Sequence, residues 1–523
     1  MYDLLIHGGA VIDGTGRPRQ TLDVAIRDGR IAALGRLERE SCRRAIDARG
    51  RIVAPGFIDV HNHSEGWLLR QRHLLPKTSQ GFTTEVLFSD GISYAPLSPE
   101  LAADWLLYLR PLNGLEPSEY RGWRSIADYL TQLDGRTAQH VVAQIPYANL
   151  RVLACGWRRA AADDTEINLM RDEVHRAMQA GAVGISTGLD YIAQCFATTD
   201  EIARVCQPLA EYGGVYATHV RYKEGTLRGI EEAVEIGRRA GCAVHISHLK
   251  AFTPAETDAI LDYIDRVASH EVEFSFDTYP YLSGSTLLAS LLPYAAWEDG
   301  PLAAVAQLRR CDVRRQAARL FELNVSTPER IHLAWLRGRE SVRWLGMPLD
   351  QFARAQQKPL ADAVLDLLID EQLAVLAVFR HDEDDRAAPF LAHRRAMIGS
   401  DGIYFPDGPV HPRVWGTAPR VLGPLVRDRR LFTLEEAVRK LSGAPAERFG
   451  LVDRGVIREG AAADLVVFDA DEVTDRATFD EPHQAAVGIE WVLVAGEPII
   501  AAGEPQHVDE PAQPGRALGY RRG

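Results

Sequence analysis

The chain has 523 residues, 46% hydrophobic and 25% charged, the make-up of a soluble globular protein large enough for one big barrel and a smaller domain. Its formal net charge of −13 argues against a nucleic-acid partner, whose phosphates require a basic face, and favours a small-molecule substrate. No run of about 18 apolar residues occurs, so no membrane partner is expected.

The N-terminus, Met1-Tyr-Asp3-Leu-Leu-Ile-His7-Gly-Gly9, carries Asp3 where a secretory leader would be basic. Cysteines 42, 155, 195, 206, 242 and 311 show no Cys-x-x-Cys spacing, which argues against a zinc ribbon or a disulfide framework. A cytoplasmic protein with free thiols is expected, and homo-oligomerisation is left open. Residues 1–54 read as short strands broken by turns. Asp28-Gly29 between two alternating apolar runs signals a hairpin. The Gly8-Gly9 and Gly14-x-Gly16 pairs lack the strand-turn-helix setting of a nucleotide loop.

From there short apolar strands alternate with helical stretches. The candidates are Val53–Ile58, Thr83–Phe88, Val141–Ile145, Ala182–Ser186, Gly214–Ala217, Ala243–Ser247, Val272–Phe276 and Ala396–Gly399. Eight such units predict an α/β protein with a closed (β/α)8 TIM-like barrel over residues 55–449. That span exceeds the usual ~250 residues, so insertions are expected, near 101–134 and 294–370. Residues 450–523 return to short strands with glycine turns, and together with 1–54 they predict one composite β-sandwich. The Pro/Gly-rich tail from about 503 reads as loosely held.

A barrel builds its site at the carboxyl ends of its strands. His61 and His63 stand at i and i+2 after the first strand, on one face of it. The second strand ends in Asp90, the fifth in His219, the sixth in His248 and the eighth in Asp401. Four imidazoles and two carboxylates converging on one mouth form a metal donor set, whereas an isolated His-x-His is more often surface loop. His245 falls on the other side of the sixth strand. His7, His73, His140, His175, His270 and His332 lack a strand-end setting and read as structural or solvent-facing. His411 lies in a loop that should hang over the site.

These motifs resemble the amidohydrolase superfamily and, within it, the N-acyl-D-amino-acid deacylases (D-aminoacylases). The resemblance runs over nearly the whole chain. It is carried by Ile6-His-Gly-Gly-Ala-Val-Ile-Asp-Gly-Thr-Gly16, Ala54-Pro-Gly-Phe-Ile-Asp-Val-His-Asn-His63 and Gly181-Ala-Val-Gly-Ile-Ser-Thr-Gly-Leu-Asp-Tyr191. Tyr216-Ala-Thr-His-Val-Arg221, Ile246-Ser-His-Leu-Lys-Ala251, Asp277-Thr-Tyr-Pro-Tyr-Leu-Ser-Gly-Ser285, Ser400-Asp-Gly402 and His411-Pro-Arg-Val-Trp-Gly-Thr417 complete it.

The resemblance implies a zinc enzyme with one or two ions per subunit, acting on an N-acyl amino acid or a related amide. One zinc would be held tightly by Asp90, His219 and His248, and a weaker position faced by His61, His63 and Asp401. Relatives carry cysteine where Asp90 stands; a carboxylate is harder than a thiolate and can bridge two ions. Asp401 is the expected general base. Lys250, Tyr279, Ser285 and Arg413 match the positions that bind the substrate carboxylate, with Tyr191 near the leaving group. Arg221, two residues beyond His219, is a second candidate clamp. Superfamily members that hydrolyse cyclic amides often bridge their metals with a carboxylated lysine, and none stands at the end of the fourth strand here.

Two alternatives stand beside the deacylase: a cyclic-amide hydrolase or D-dipeptidase with the same centre, and a catalytically silent scaffold barrel. The long insertion, with Trp335, Trp344 and the acidic run Asp382–Asp385, would cover the mouth as an acidic lid disfavouring anionic side chains, unless that run is a solvated face.

Overall fold

The computed structural model describes residues 1–38, 42–325 and 327–519. The chain opens with β1 (Tyr2–Val11), β2 (Gln20–Arg27), β3 (Arg30–Gly35), β4 (Cys42–Asp47) and β5 (Ile52–Pro55). The hairpin expected at Asp28-Gly29 joins β2 to β3, with both residues in the left-handed region at φ 51° and 70°, as a tight two-residue turn requires.

The apolar run expected as one strand over 53–58 divides at Gly56. β5 pairs with β1, while β6 (Phe57–Asp59) pairs in parallel with β8 (Phe82–Leu87). A Cβ at position 56 would lie 2.2 Å from Thr83 Oγ1, so glycine is what lets the chain pass from one sheet to the other.

After β7 (Asn62–His63) and β8 come β9 (His140–Ala143), β10 (Ile145–Pro146), β11 (Gly184–Gly188), β12 (Val215–His219), β13 (Ala243–Ile246) and β14 (Phe274–Thr278). β14 starts two residues later than the sequence suggested because Val272 N–H is still bonded to Ala268 O, at 3.1 Å, at the end of the preceding helix. Next are β15 (Gly284–Leu287), β16 (Ile331–Leu336) and β17 (Val375–Phe379), then β18 (Ala396–Ile398) and β19 (Gly402–Ile403). The parallel pairings run β6-β8-β9 and β10-β11-β12-β13-β14-β18, and β19 returns to β7. Only Gln144 separates β9 from β10, so the chain runs directly from one set of parallel strands into the next.

Two insertions stand out. The helices Ala102–Asn113 and Ile126–Leu133 lie between β8 and β9. The inserted region between β14 and β18 is longer than the expected 294–370, because β15 and β16 flank β17 in an antiparallel three-stranded sheet.

Finally β20 (Leu465–Phe468), β21 (Ile489–Val494), β22 (Glu497–Ala501) and β23 (Glu504–Pro505) return to the start of the chain. β20 pairs antiparallel with β5, so both ends of the chain share one nine-stranded sheet. One face buries Leu4, Ile6, Val24, Ile26, Leu465 and Val467. The other buries Ala54, Val466, Phe468, Val492 and Val494 against Val421, Leu422, Ala437 and Val438. The tail expected to be loose is tied down instead: Val141 N–H donates to Arg516 O at 3.0 Å and Leu518 N–H to Val141 O at 2.8 Å. No helix among the described residues is long and apolar enough to cross a membrane.

Candidate metal centre

All six strand-end positions meet in one place. His61 Nε2 lies 3.4 Å from Asp90 Oδ1, His248 Nε2 3.6 Å from the same oxygen, and His63 Nε2 3.6 Å from Asp90 Oδ2. His219 Nδ1 is 3.8 Å from Asp90 Oδ2 and 3.0 Å from His248 Nε2. Asp401 Oδ1 stands 3.4 Å from His63 Nε2 and 3.8 Å from His61 Nε2. The donor atoms of His61, Asp90 and His248 lie within 4.8 Å of one another, as do those of His61, His63 and Asp401.

These side chains are aimed by abrupt ends to their strands. Asp90, His248 and Asp401 have φ of 59°, 38° and 47°, left-handed backbone that costs of order 1–3 kcal/mol per residue and persists where the surroundings fix it.

The donor set fits a metal. His61 Nε2 and Asp90 Oδ1 are buried with no hydrogen-bond partner, and imidazole nitrogen with carboxylate oxygen is a zinc-type combination. Burial alone would raise the Asp90 carboxyl, but His61 and His248 beside it hold it well below the usual carboxylate range. Burial likewise opposes charge on His61, yet Asp90 and Asp277 draw its imidazole well above the ordinary value. The cluster is short of positive charge, and a cation among these atoms would supply it.

A second layer orients the first, and the sequence reading did not single it out. Asp277, at the end of β14, accepts from His245 Nε2 at 2.9 Å and from His248 N–H at 2.9 Å, and lies 3.6 Å from His61 Nδ1. Asp190 is 3.5 Å from His219 Nε2 and accepts from the Tyr294 hydroxyl at 2.6 Å. Such carboxylate–imidazole contacts fix the tautomer and ring orientation of a ligand. Their signal in the sequence was position: each aspartate follows or ends a ring strand inside a quoted motif.

Above the centre is a cavity of about 340 Å³ whose lining includes His63, Asp90, His219, His248, Asp401, Tyr191, Lys250, Tyr279 and Ser285. Phe252, Leu282, Leu291 and Phe379 add an apolar side. Lys250 Nζ donates to the Tyr279 hydroxyl at 2.7 Å; burial, and the Arg413 charge nearby, push it down to about 8. Tyr191 packs against His219 with ring centroids 4.7 Å apart and planes tilted by 50°, and its hydroxyl is 3.2 Å from Thr286 Oγ1. The Ser285 hydroxyl donates to Ala377 O at 2.9 Å.

Arg413 sits one step behind this wall. Its guanidinium is fully buried, with Nη1 2.8 Å from Asp401 Oδ2, Nη2 donating to Ser285 O at 3.1 Å, and Cζ 4.5 Å over the Tyr279 ring. Burial opposes ionisation of Asp401, but Arg413, His63 and His61 hold its carboxyl far below the usual range.

Arg221 does not fit the clamp expected of it. It is bound to Glu232 at 3.0 Å, donates to Cys195 O at 3.2 Å and meets Ala197 O, and it is absent from the cavity lining. His411 is also outside the lining; its Nδ1 accepts from Arg413 N–H at 3.0 Å, and its ring lies 5.1 Å from both Tyr281 and Phe479. The acidic run is not a free charged lid either. Asp382 pairs with Arg330 at 2.8 Å, Asp384 with Arg420 at 3.0 Å and Asp385 with Arg429 at 2.5 Å. Trp335 stacks on Phe405, centroids 4.2 Å apart, and Trp344 packs edge-on to Phe352.

A ring of parallel strands ending in histidines and carboxylates around one cation site defines a metal-dependent hydrolase. The profile of the amidohydrolase family matches residues 44–288 and 388–500. The chain belongs to that family and, within it, to the D-aminoacylase and N-acyl-D-amino-acid deacylase group. It is 38% identical over 510 residues to a D-aminoacylase of Alcaligenes xylosoxydans xylosoxydans, covering 95% of this chain and 94% of the relative. An N-acyl-D-aspartate deacylase of the same organism is 35% identical, covering 99% and 96%. Among solved structures, the N-acyl-D-glutamate deacylase of Bordetella bronchiseptica, complexed with zinc and a phosphonate mimic of the tetrahedral intermediate, superposes with a TM-score of 0.83 at 35% identity, covering 99% of each chain.

Proposed function

We propose that this protein is a zinc-dependent deacylase that hydrolyses N-acyl-D-amino acids to a carboxylate and a free D-amino acid. The observation that carries the reading is one cavity holding both halves of the required chemistry: a cation donor set on its floor, and Lys250 with Tyr279 on its wall, backed by Arg413. Asp90, His219 and His248 would hold one zinc, and His61, His63 and Asp401 would face a second. Zinc, when bound, acidifies water and polarises the scissile carbonyl. The relatives that match end to end support this substrate class; one is a D-aminoacylase whose binuclear centre shows one-metal activation and second-metal attenuation.

In this reading Asp401 accepts the proton of the attacking water and delivers it to the leaving nitrogen. Its carboxylate is ionised in the free protein and lines the cavity. Lys250 takes the substrate carboxylate, with the Tyr279 hydroxyl beside it and Ser285 on the adjoining edge. Arg413 contributes charge from behind Tyr279 and reaches the carboxylate by loosening its pairing with Asp401. Tyr191, packed against His219, borders the leaving-group side. Arg221 holds the loop of residues 189–197 in place. The Phe252, Leu282, Leu291 and Phe379 side receives apolar parts of the substrate.

Supporting the finer architecture, the closed pairing of β6 through β19 reads as a (β/α)8 barrel, with the shared terminal sheet as a small β-domain built from 1–54 and 450–519. The buried thiols of Cys155, Cys195, Cys206 and Cys242 fit a cytoplasmic setting.

Amine release from paired N-acyl-D- and N-acyl-L-amino acids, with zinc supplied, tests the function. Turnover confined to the D series supports the proposal. Turnover of cyclic amides or dipeptides alone would redirect it to the neighbouring hydrolase class, and no turnover in a zinc-loaded protein would leave the scaffold reading.

A further inference from the structure

Lys77 lies fully buried beneath the site and takes no part in binding the substrate or moving its protons. It stands on the short helix Leu75–Thr78. Its ammonium meets the Asp59 carboxylate, donates to Ser400 Oγ at 2.8 Å, and lies 3.7 Å from Glu85 Oε2. Glu85 is itself held by the Ser64 hydroxyl and the Gln139 amide, each at 2.6 Å. A buried ammonium is tolerated only when paired and hydrogen-bonded, so these groups fix one another's positions.

The partners of Lys77 adjoin the first and last ring strands. Asp59 ends β6, two residues before His61, and Ser400 immediately precedes Asp401. Asp59 Oδ1 accepts from the backbone N–H of His61 at 3.2 Å and of Ser400 at 2.8 Å, while Oδ2 accepts from the Ser400 hydroxyl at 2.5 Å. Ser400 Oγ in turn accepts from Gly402 N–H at 3.1 Å, and Asp401 N–H donates to His61 O at 2.8 Å. The left-handed backbone of Asp401, φ 47°, is thus gripped on both sides. This is also the joint where β19 pairs with β7 and the ring closes.

We propose that Lys77, acting through Asp59 and Ser400, is a positioning residue that sets His61 and His63 against Asp401 and so tunes the half of the metal centre those three residues face. The proposal rests on reading them as metal ligands. Without the ammonium, Asp59 and Glu85 face each other across an apolar gap. Asp59 then relaxes by turning or taking a proton, and its hold on Ser400 weakens. Asp90, His219 and His248 stand at the ends of other strands and meet this network through the His61 and His63 rings, so their share of the centre is perturbed less.

The test compares the full chain with Lys77→Met and Ser400→Ala, by equilibrium dialysis against graded zinc and by steady-state kinetics. Removal of an outer partner of a metal ligand typically costs about 10- to 100-fold in metal affinity or activity. The expected result is a loss of that size for one ion with the other retained, and a matching fall in kcat with KM held within about threefold. Ser400→Ala should shift both in the same direction by less, and the double variant should fall short of the sum because the two residues act through one carboxylate. Should Lys77→Met fail to fold, Ser400→Ala, which deletes a single hydroxyl, carries the test alone. Folded variants with a lower Tm but unaltered zinc affinity and kcat would overturn the proposal. So would equal weakening of both ions, which marks a general loosening. Zinc uptake is read directly, so inactivity toward N-acyl amino acids would sink the deacylase reading and leave this result standing.

Discussion

Replacing Asp401 by asparagine keeps the side chain's shape while removing one charge and one proton acceptor. The carboxylate meets Arg413 Nη1 at 2.8 Å and stands 3.4 Å from His63 Nε2. A side chain that moves the reacting proton contributes ~10²- to 10⁴-fold, which at 1.36 kcal/mol per decade is about 3 to 5 kcal/mol of barrier. Stability is affected separately. Stripping one partner from a buried ion pair costs about 3–5 kcal/mol, and the amide oxygen, still able to accept from Arg413, keeps the loss toward the lower end. Backbone strain does not change, since asparagine tolerates the left-handed region as well as aspartate does. Amine release from an N-acyl-D-amino acid, zinc content and a thermal melt should be measured on one preparation. The expected variant is folded, melts lower, and has kcat reduced by about 10²- to 10⁴-fold. Near-normal kcat in the zinc-loaded variant would refute the proton-acceptor role. So would a loss of kcat that excess zinc restores, because Asp401 would then act through metal retention alone.

The two arginines should separate cleanly. Arg413→Ala raises KM for the N-acyl amino acid by at least about tenfold, as the loss of a charged hydrogen bond of roughly 1.5–3 kcal/mol implies, whereas Arg221→Ala lowers Tm and leaves the KM of the folded fraction unchanged; the reverse pattern would place the clamp at Arg221. Asp90 presents its two oxygens to different histidine pairs, so gentle dialysis should leave close to two zinc ions per chain, and Asp90→Cys should favour zinc over harder ions such as manganese. One firmly bound ion with no second would contradict the bridging role of Asp90. Asp464, just before β20 of the terminal sheet and bonded to His140 of β9, predicts acid lability. Burial opposes its charge, but His140 at 3.1 Å and the adjoining Arg454 hold its carboxyl below the unfolded value. The unfolded chain therefore binds the extra proton first, so this contribution is complete above about pH 4 and is lost as pH falls further. Asp464→Asn should be less stable at neutral pH and lose less on acidification, in urea titrations at several pH values.

What the sequence disclosed and what it concealed divide along physical lines. Ring strands were legible because fully buried parallel strands read as short apolar runs between helices, and the site residues stood out because the first, second, fifth, sixth and eighth runs stopped at a histidine or aspartate. Gly56 was not legible as a border: the run on both sides of it is equally apolar, and only the approach of Thr83 shows why a side chain is excluded. Arg221 misled because strand alternation placed it on the face of His219, while Glu232 and the carbonyls that hold it come from other elements. Asp277, Asp190, Asp59 and Lys77 are single polar residues without a spacing signature. Several of their partners are far away in the chain, from 29 positions between Asp277 and His248 to 341 between Asp59 and Ser400, and only the folded chain brings them together. The tail looked loose because its Pro/Gly content gives no periodicity. Gly515 is there because any Cβ would meet Gln139 O at 2.1 Å.

Charge connects the fold to the chemistry. Asp59, Glu85, Asp90, Asp190, Asp277 and Asp401 are all buried around the mouth of the ring. Lys77 answers Asp59 and Glu85, and Arg413 answers Asp401. Asp90, Asp190 and Asp277 are met by histidines, of which His61 is drawn toward its charged form by Asp90 and Asp277. The three left-handed turns cost of order 1–3 kcal/mol each, and structural zinc sites bind with about 10–16 kcal/mol, so a divalent cation at these strand ends would outweigh that strain. Metal affinity and the geometry of the strand ends are therefore one property. An ion held there would relieve the carboxylates, the carboxylates would in turn hold the imidazoles, and the left-handed turns at Asp90, His248 and Asp401 would put donor atoms where the ion lowers the energy of all of them.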